Sequence, residues 1–276
     1  MLGRDFEGWT VVVTGASTGL GRAIAVETAE RGAALVVVNY ASNQEAAEET
    51  ARRVEAMGAR AVLAKGDVGQ DEDCRRIVEA AAATGRIDAL FNNAGVTKYV
   101  PNHSDMDALS AEDFLDIYRV NTVGPFQMVR AARSLLEAAP QPGAVVMTGS
   151  IAAILGVGTS VAYAASKGAL KTMTLSLAKA LAPRIRVNCV LPGFIDSAWF
   201  DKLVSPERTD KLRDWAAEST PLKVASTGED IAAATVFLAS PAARHVTGET
   251  LIVDAGAHMG WSVPPRRHTE RQTERS

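Results

Sequence analysis

Short apolar runs alternate with longer amphipathic stretches from one end of the chain to the other. The runs Thr10–Val13, Leu35–Asn39, Ala61–Lys65, Ala89–Asn92, Ala144–Thr148, Arg186–Leu191 and Leu251–Asp254 are largely continuous in Val, Ile and Leu. A strand wetted on one face alternates apolar with polar residues, whereas one covered on both faces does not, so these runs predict parallel strands held between two layers. The segments Gly21–Arg31, Asn43–Met57, Asp71–Thr84, Ala111–Ala138, Ser160–Leu181 and Glu229–Ala239 have helical length. Strand–helix alternation predicts βαβ units with right-handed crossovers. The fold class that follows is α/β: one doubly wound, mainly parallel seven-stranded sheet with helices on both faces.

The alternation is interrupted once, between the Pro192-Gly193 turn and Thr227-Gly228. Residues 196–223 mix Trp199, Phe200, Leu203, Leu212 and Trp215 with many charges. An amphipathic insertion after the carboxyl end of a strand is where a substrate lid sits, and an ordinary surface helix is the other reading. No internal domain boundary is visible, so residues 1–263 are expected to form one catalytic domain with this lid. Residues 264–276 are polar, charged and proline-led, which predicts a disordered tail.

Composition narrows the function. Of 276 residues, 47% are hydrophobic and 22% charged, as in a globular protein with a full core. The net charge of −3, with no sustained basic block in the folded part, argues against a nucleic-acid partner bound through its phosphates. No apolar run approaches the ~18 residues that would span a bilayer, so no membrane partner is expected. The N-terminus runs from Arg4, Asp5 and Glu7 straight into Val11-Val12-Val13, without a secretory apolar region. Cys74 and Cys189 form no Cys-x-x-Cys pair, and His103, His245, His258 and His268 lack metal-ligand spacing. A cytoplasmic enzyme without a metal is the expectation.

The first strand leads directly into Thr14-Gly15-Ala16-Ser17-Thr18-Gly19-Leu20-Gly21 and then the first long helix. Glycines here let the backbone turn sharply and approach a pyrophosphate, which the free N–H groups of the helix N-terminus attract. The spacing is Gly-x-x-x-Gly-x-Gly, and no lysine stands in the loop, which weighs against a nucleotide triphosphatase. At the end of the second strand a carboxylate would bind the ribose 2′-hydroxyl and repel a 2′-phosphate. Asn39 stands there, while Thr18 and the residues after Asn39 offer no arginine, so the charges favour NADP(H) slightly over NAD(H) and permit dual use. Asp67 follows the third strand and Asn92-Asn93-Ala94-Gly95 the fourth, small and amide residues suited to a cofactor crevice.

The chemistry centres on Tyr163-Ala164-Ala165-Ser166-Lys167. Residues four apart share a helix face, so the Lys167 ammonium is expected near the Tyr163 phenol. A nearby cation favours phenolate and lowers a pKa of about 10, preparing the phenol for proton exchange.

Taken in order, Thr14–Gly21, Asp67, Asn92–Gly95, Asn121, Ser150, Tyr163 with Lys167, and Pro192-Gly193 resemble the motifs of the short-chain dehydrogenase/reductase family in its single-domain, Rossmann-fold form. The resemblance covers nearly everything from Glu7 to Gly260. It implies a catalytic set in which Tyr163 is general acid or base and Ser150 donates to the carbonyl oxygen. Lys167 would lower the Tyr163 pKa and bind the nicotinamide ribose, and Asn121 would anchor a water that relays protons to Lys167. It implies cofactor contacts from Gly15, Ser17, Thr18, Gly19, Leu20 and Gly21 at the phosphates. Asn39 would read the ribose, Asp67 and Val68 the adenine, and Asn93, Ala94 and Gly95 the adenine ribose. Ile195 and Ser197 would face the carboxamide; the family commonly has threonine where Ser197 stands.

The expected activity is hydride transfer between NAD(P)(H) and a small-molecule carbonyl or secondary alcohol. A non-catalytic dinucleotide-binding regulator is the competing class, and the complete proton-transfer set argues against it. The strand end at Asn39-Tyr40 resembles glucose 1-dehydrogenase-type members, and Val246–Thr250 equally resembles 3-oxoacyl-carrier-protein reductases. The mainly apolar wall expected from Val96–Tyr99, Ile151–Val157 and Phe194–Leu203 suits a hydrophobic ketone better than a free sugar. The helices over Ala111–Ala138 and Ser160–Leu181 resemble the pair through which family members associate, so a homotetramer is expected.

Overall fold

A computed structural model describes residues 3–197 and 205–260. The expected tail at 264–276, and Trp199, Phe200 and Leu203 of the expected substrate wall, lie outside them.

The strands are β1 (Thr10–Val13), β2 (Leu35–Tyr40), β3 (Arg60–Lys65), β4 (Ala89–Asn92), β5 (Gly143–Thr148), β6 (Ile185–Pro192) and β7 (Thr250–Val253). They form one parallel sheet in the order β3-β2-β1-β4-β5-β6-β7. Every residue of β1, β2, β4 and β6 is buried, which explains why their sequences do not alternate. The edge strand β3 is wetter, and its exposure varies along its length.

The two faces take alternate residues of each strand, as the pleat requires. Val11 and Val13 of β1 join the core under helices α1 (Gly19–Glu30) and α9 (Gly228–Ala239), with Ile24 and Ile231. Val12 joins the opposite core with Met128 and Leu170. Those two residues come from α5 (Gly124–Glu137) and α7 (Val161–Leu181). The remaining helices are α2 (Gln44–Ala56), α3 (Asp71–Glu79), α4 (Ala111–Tyr118), a short α6 (Ala152–Leu155) and α8 (Pro206–Ser219).

The helix expected to run unbroken over Ala111–Ala138 is instead α4, a π-helical turn at Arg119–Val123, and α5. Pro125 has no N–H to offer the Asn121 carbonyl four residues back, so the regular ladder cannot pass through this point. The interruption falls on Asn121. It shows how a proline near a helix start can be read wrongly as lying inside one long helix.

Because β1 leads to β2 on one side while β4 lies on the other, the chain reverses direction across the sheet between β1 and β4. A crevice opens at such a point, outside the carboxyl ends of the strands. The loops after β1, β2, β3, β4, β5 and β6 all converge on it.

Candidate active site

At the β1 end, Gly15 (φ +61°) and Gly19 (φ +55°) occupy the left-handed region that glycine adopts freely. A side chain at Gly21 would collide with the Gly15 carbonyl and the Asn93 amide. The loop is tied down from three sides. Thr14 Oγ1 accepts from the backbone N–H groups of Asn93 (2.9 Å) and Ala94 (3.0 Å). Asn93 Nδ2 donates to the carbonyls of Thr14 (3.0 Å) and Gly15 (3.2 Å). Arg22 donates to the Ser17 carbonyl (2.6 Å), the Ala46 carbonyl (3.1 Å) and Thr50 Oγ1 (2.9 Å), which joins the loop to α2. The N-cap of α1, Thr18, makes no side-chain cap and the first turn carries no acid, so its N–H groups remain for an anion.

Asn39 departs from its expected task. Its Oδ1 accepts from Gly15 N (3.1 Å), and its Nδ2 donates to the carbonyls of Ala64 (3.0 Å) and Gly66 (3.1 Å). Both amide donors are spent on the backbone, because β2 continues to Tyr40 and leaves Asn39 buried inside the sheet. Beyond the strand the crevice is lined by Ala41, Ser42 and Asn43. Asp67 is held by two donors: Gly69 N at 2.8 Å on Oδ1 and Arg119 Nη1 at 2.9 Å on Oδ2. On the far side, Ile195 pairs with Ser226, and Ser197 approaches Gly19 closely enough that a methyl there would lie 3.3 Å from its Cβ.

The proton-transfer groups stand on β5 and α7. Ser160 caps α7 by accepting from Tyr163 N at 3.2 Å, and so fixes the turn that carries Tyr163. Ser150 and Tyr163 share a side-chain hydrogen bond. Lys167 donates to the Thr148 carbonyl at 2.7 Å and lies 5.6 Å from the centre of the Tyr163 ring. The expected depression of the phenol by this lysine is not what dominates here. Burial pushes the Tyr163 phenol up to about 12, with the Ser150 hydrogen bond acting against it. Burial also pushes the Lys167 ammonium down to about 8. Sequence spacing reports proximity but not dielectric, and in this protein desolvation is the larger effect on both groups.

Asn121 is fully buried behind this group. Its Oδ1 accepts from Val96 N (2.8 Å), and its Nδ2 donates to the Val96 carbonyl (2.9 Å) and Ser166 Oγ (3.1 Å). Ser166 Oγ in turn donates to the Tyr163 carbonyl at 2.7 Å. The side chain therefore joins the loop after β4 to α7 and does not line the crevice. Ser166 lies within the Tyr163–Lys167 stretch, yet nothing in its spacing marks it as the link.

Gly15, Ser17, Thr18, Gly19, Leu20, Gly21, Asn39, Asp67, Val68, Asn93, Ala94, Gly95, Ser150, Tyr163, Lys167, Ile195 and Ser197 all line one cleft of about 1030 Å³. Its substrate half adds Thr159, which sequence reasoning missed, to Thr97 and Tyr99 of the expected wall and to Leu212 and Trp215 of the expected lid, the last two on α8. These come from separate loops with no common period. The glycine cradle, the uncapped N-terminus of α1 and the size of the cleft fit a dinucleotide with room for a small substrate.

Residues 15–258 match the family model described as Enoyl-(Acyl carrier protein) reductase. The chain is 36% identical over 256 residues to an L-rhamnose 1-dehydrogenase (NAD(P)(+)) from Sphingomonas sp., covering 92% of this chain and 97% of that one. It is 32% identical over 252 residues to a 3-oxoacyl-acyl-carrier-protein reductase from Staphylococcus epidermidis, covering 91% and 99%. A solved short-chain dehydrogenase/reductase of glucose/ribitol dehydrogenase type from Brucella melitensis superposes with a TM-score of 0.80 at 32% identity, covering 91% and 97%.

Proposed function

The chain belongs to the short-chain dehydrogenase/reductase family and is an NAD(P)-dependent oxidoreductase acting on CH–OH groups, and from that premise we propose how its residues divide the work. The backbone of Gly15–Gly21 holds the pyrophosphate, Asp67 and Val68 border the adenine, and Lys167 holds the nicotinamide ribose. When bound, the dinucleotide supplies or accepts the hydride. In the reducing direction Tyr163 gives its phenolic proton to the substrate oxygen as negative charge develops there. Ser150 donates to the same oxygen and, after transfer, to the phenolate. Such donors aimed at developing charge are worth about 3–4 kcal/mol. A phenol raised to about 12 is protonated at neutral pH and so stands ready as the acid. Lys167, charged below about pH 8, offsets the phenolate that remains. In oxidation each step runs in reverse. The observation that carries this reading is the hydrogen-bonded Ser150–Tyr163 pair beside Lys167 on the wall of a cleft that begins at the glycine loop.

NADP(H) is favoured slightly, because the crevice beyond β2 is lined by Ala41, Ser42 and Asn43, with no carboxylate to repel a 2′-phosphate. The substrate is a hydrophobic ketone or secondary alcohol, since Ile151, Val157, Phe194, Leu212 and Trp215 wall its half of the cleft. Leu212 and Trp215 support a lid role within residues 196–223 of a single catalytic domain. Exposed Leu115 and Phe126 on α4–α5 and Leu175 on α7 support association of these helices in a homotetramer.

The test is oxidation of NADH and NADPH followed by absorbance across a panel of ketones, with wild type and Tyr163→Phe. Turnover is expected with the wild type, faster with NADPH, and a loss of at least about 100-fold in the variant with cofactor binding retained. A variant that keeps near-wild-type rates would remove Tyr163 from its role.

A further inference from the structure

The adenine end of the cleft contains an ion pair that the proton-transfer groups do not explain. Arg119 Nη1 donates to Asp67 Oδ2 at 2.9 Å, and both residues line the cleft. Each side chain is 40% exposed, so a base lying here would take both out of water. The other carboxylate near this guanidinium, that of Asp116, lies 3.8 Å from Nε and is far more exposed. Asp67 is the principal partner of Arg119.

Arg119 does not hold the loop after β3 by itself. Gln127 Nε2 donates to the Val68 carbonyl at 3.0 Å, and the Asp67 N–H donates to Asp73 Oδ2 at 2.8 Å. A side chain at Gly124 would collide with Val68, so α5 already packs against this loop. What Arg119 adds is control of the carboxylate. The Gly69 N–H fixes Oδ1 at 2.8 Å and the guanidinium fixes Oδ2, and a side chain at Gly69 would run into that guanidinium. A carboxylate oxygen accepts from two donors, so each retains one acceptor site. Arg119 also opens the π-helical turn Arg119–Val123, whose Asn121 ties the loop after β4 to α7. One turn thus braces both the adenine end and the catalytic end of the cleft.

We infer that Arg119 is a positioning residue that holds Asp67 as a fixed acceptor distinguishing adenine from 6-oxopurines, an assignment that rests on the placement of adenine beside Asp67. Adenine offers an exocyclic N–H donor at C6, where hypoxanthine presents a carbonyl oxygen. A carboxylate pinned by two donors cannot turn away from that oxygen, and the guanidinium offsets its charge once the base excludes water. Without Arg119 the carboxylate swings toward solvent. The hydrogen bond to adenine then weakens, and the repulsion of hypoxanthine is relieved.

The experiment titrates NADPH and its hypoxanthine counterpart into the protein and follows nucleotide fluorescence, which needs no turnover. The proteins are wild type, Arg119→Met, Arg119→Lys and Asp67→Ala. Wild type should bind NADPH at least about tenfold tighter than the hypoxanthine dinucleotide, as expected for one charge-assisted hydrogen bond. Arg119→Met should bring that ratio within about threefold, chiefly by weakening NADPH. Arg119→Lys should keep most of it, because Asp67 takes a single bond from Arg119 that an ammonium can supply. A ratio unchanged in Arg119→Met would overturn the positioning role, as would equal losses for both nucleotides, which mark a merely structural one. If Arg119→Met keeps the ratio while Asp67→Ala loses it, the adenine placement stands and only the role of Arg119 falls. Equal affinity for the two nucleotides in wild type would overturn the adenine placement and the role of Arg119 together.

Discussion

Replacing Lys167 by methionine should abolish turnover and at the same time stabilise the folded protein at neutral pH. Lys167 is 3% exposed, and burial lowers its pKa from 10.5 to about 8. One pKa unit corresponds to about 1.4 kcal/mol, so keeping this ammonium charged in the fold costs about 3 kcal/mol at pH 7. Methionine has nearly the same volume and carries no charge, but it forfeits the hydrogen bond to the Thr148 carbonyl, worth about 1 kcal/mol. The net gain is therefore about 2 kcal/mol. Its pH dependence has a definite sign. Between about pH 8 and 10.5 the unfolded chain holds a proton on this lysine that the folded protein has released, so the wild type gains stability as pH rises through that window. Other groups act the opposite way at high pH: the Tyr163 phenol and the Cys74 and Cys189 thiols, all raised by burial, lose stability there. These contributions largely cancel in the difference between the two proteins. Urea denaturation of both from pH 7 to 9.5 should show the advantage of the variant shrink from about 2 kcal/mol to near zero. A variant less stable than wild type at pH 7, or an advantage that does not change with pH, would refute the reasoning.

Two further substitutions test how the fold supports the site. Asn39→Asp should lower stability by about 2–4 kcal/mol and weaken NAD⁺ and NADP⁺ alike, because a buried carboxylate would face the Ala64 and Gly66 carbonyls that the amide now satisfies. Denaturant midpoints and cofactor titrations would check it, and a clean switch toward NAD⁺ without loss of stability would contradict the position assigned to this side chain. Arg186→Met should cost about 3–5 kcal/mol, since the buried guanidinium donates to the carbonyls of Leu238 (2.9 Å), Ala239 (2.8 Å) and Ser240 (3.3 Å) at the end of α9 and of Val246 (3.1 Å) in the segment beyond it, and its loss leaves buried acceptors unpartnered. Thermal unfolding would read this as a fall of at least about 6 °C.

The sequence by itself determined the layers of this protein. Continuous runs such as Val11-Val12-Val13 and Leu35–Asn39 can be satisfied only by burial on both faces, and the helical segments between them must then cover the sheet. It also determined most of the residues on the cleft wall, because glycine at a strand-to-helix turn and a phenol one helical turn from an amine are local patterns. What those residues do to one another was decided by the tertiary structure. Asn39 stood where the ribose was expected to be read, yet its amide spends its hydrogen bonds on the backbone of Gly15, Ala64 and Gly66. Asn121 fell in the expected family position, but Pro125 breaks the helix there and its amide binds Val96 and Ser166. The Tyr163–Lys167 spacing was local; the desolvation that sets both titrations comes from groups far away in the chain. Thr97 and Thr159 are 62 positions apart and meet only because the sheet places their loops on the same crevice. Periodicity and short motifs record which side of an element is buried, whereas hydrogen-bond partners and local dielectric depend on which distant segments the fold brings together.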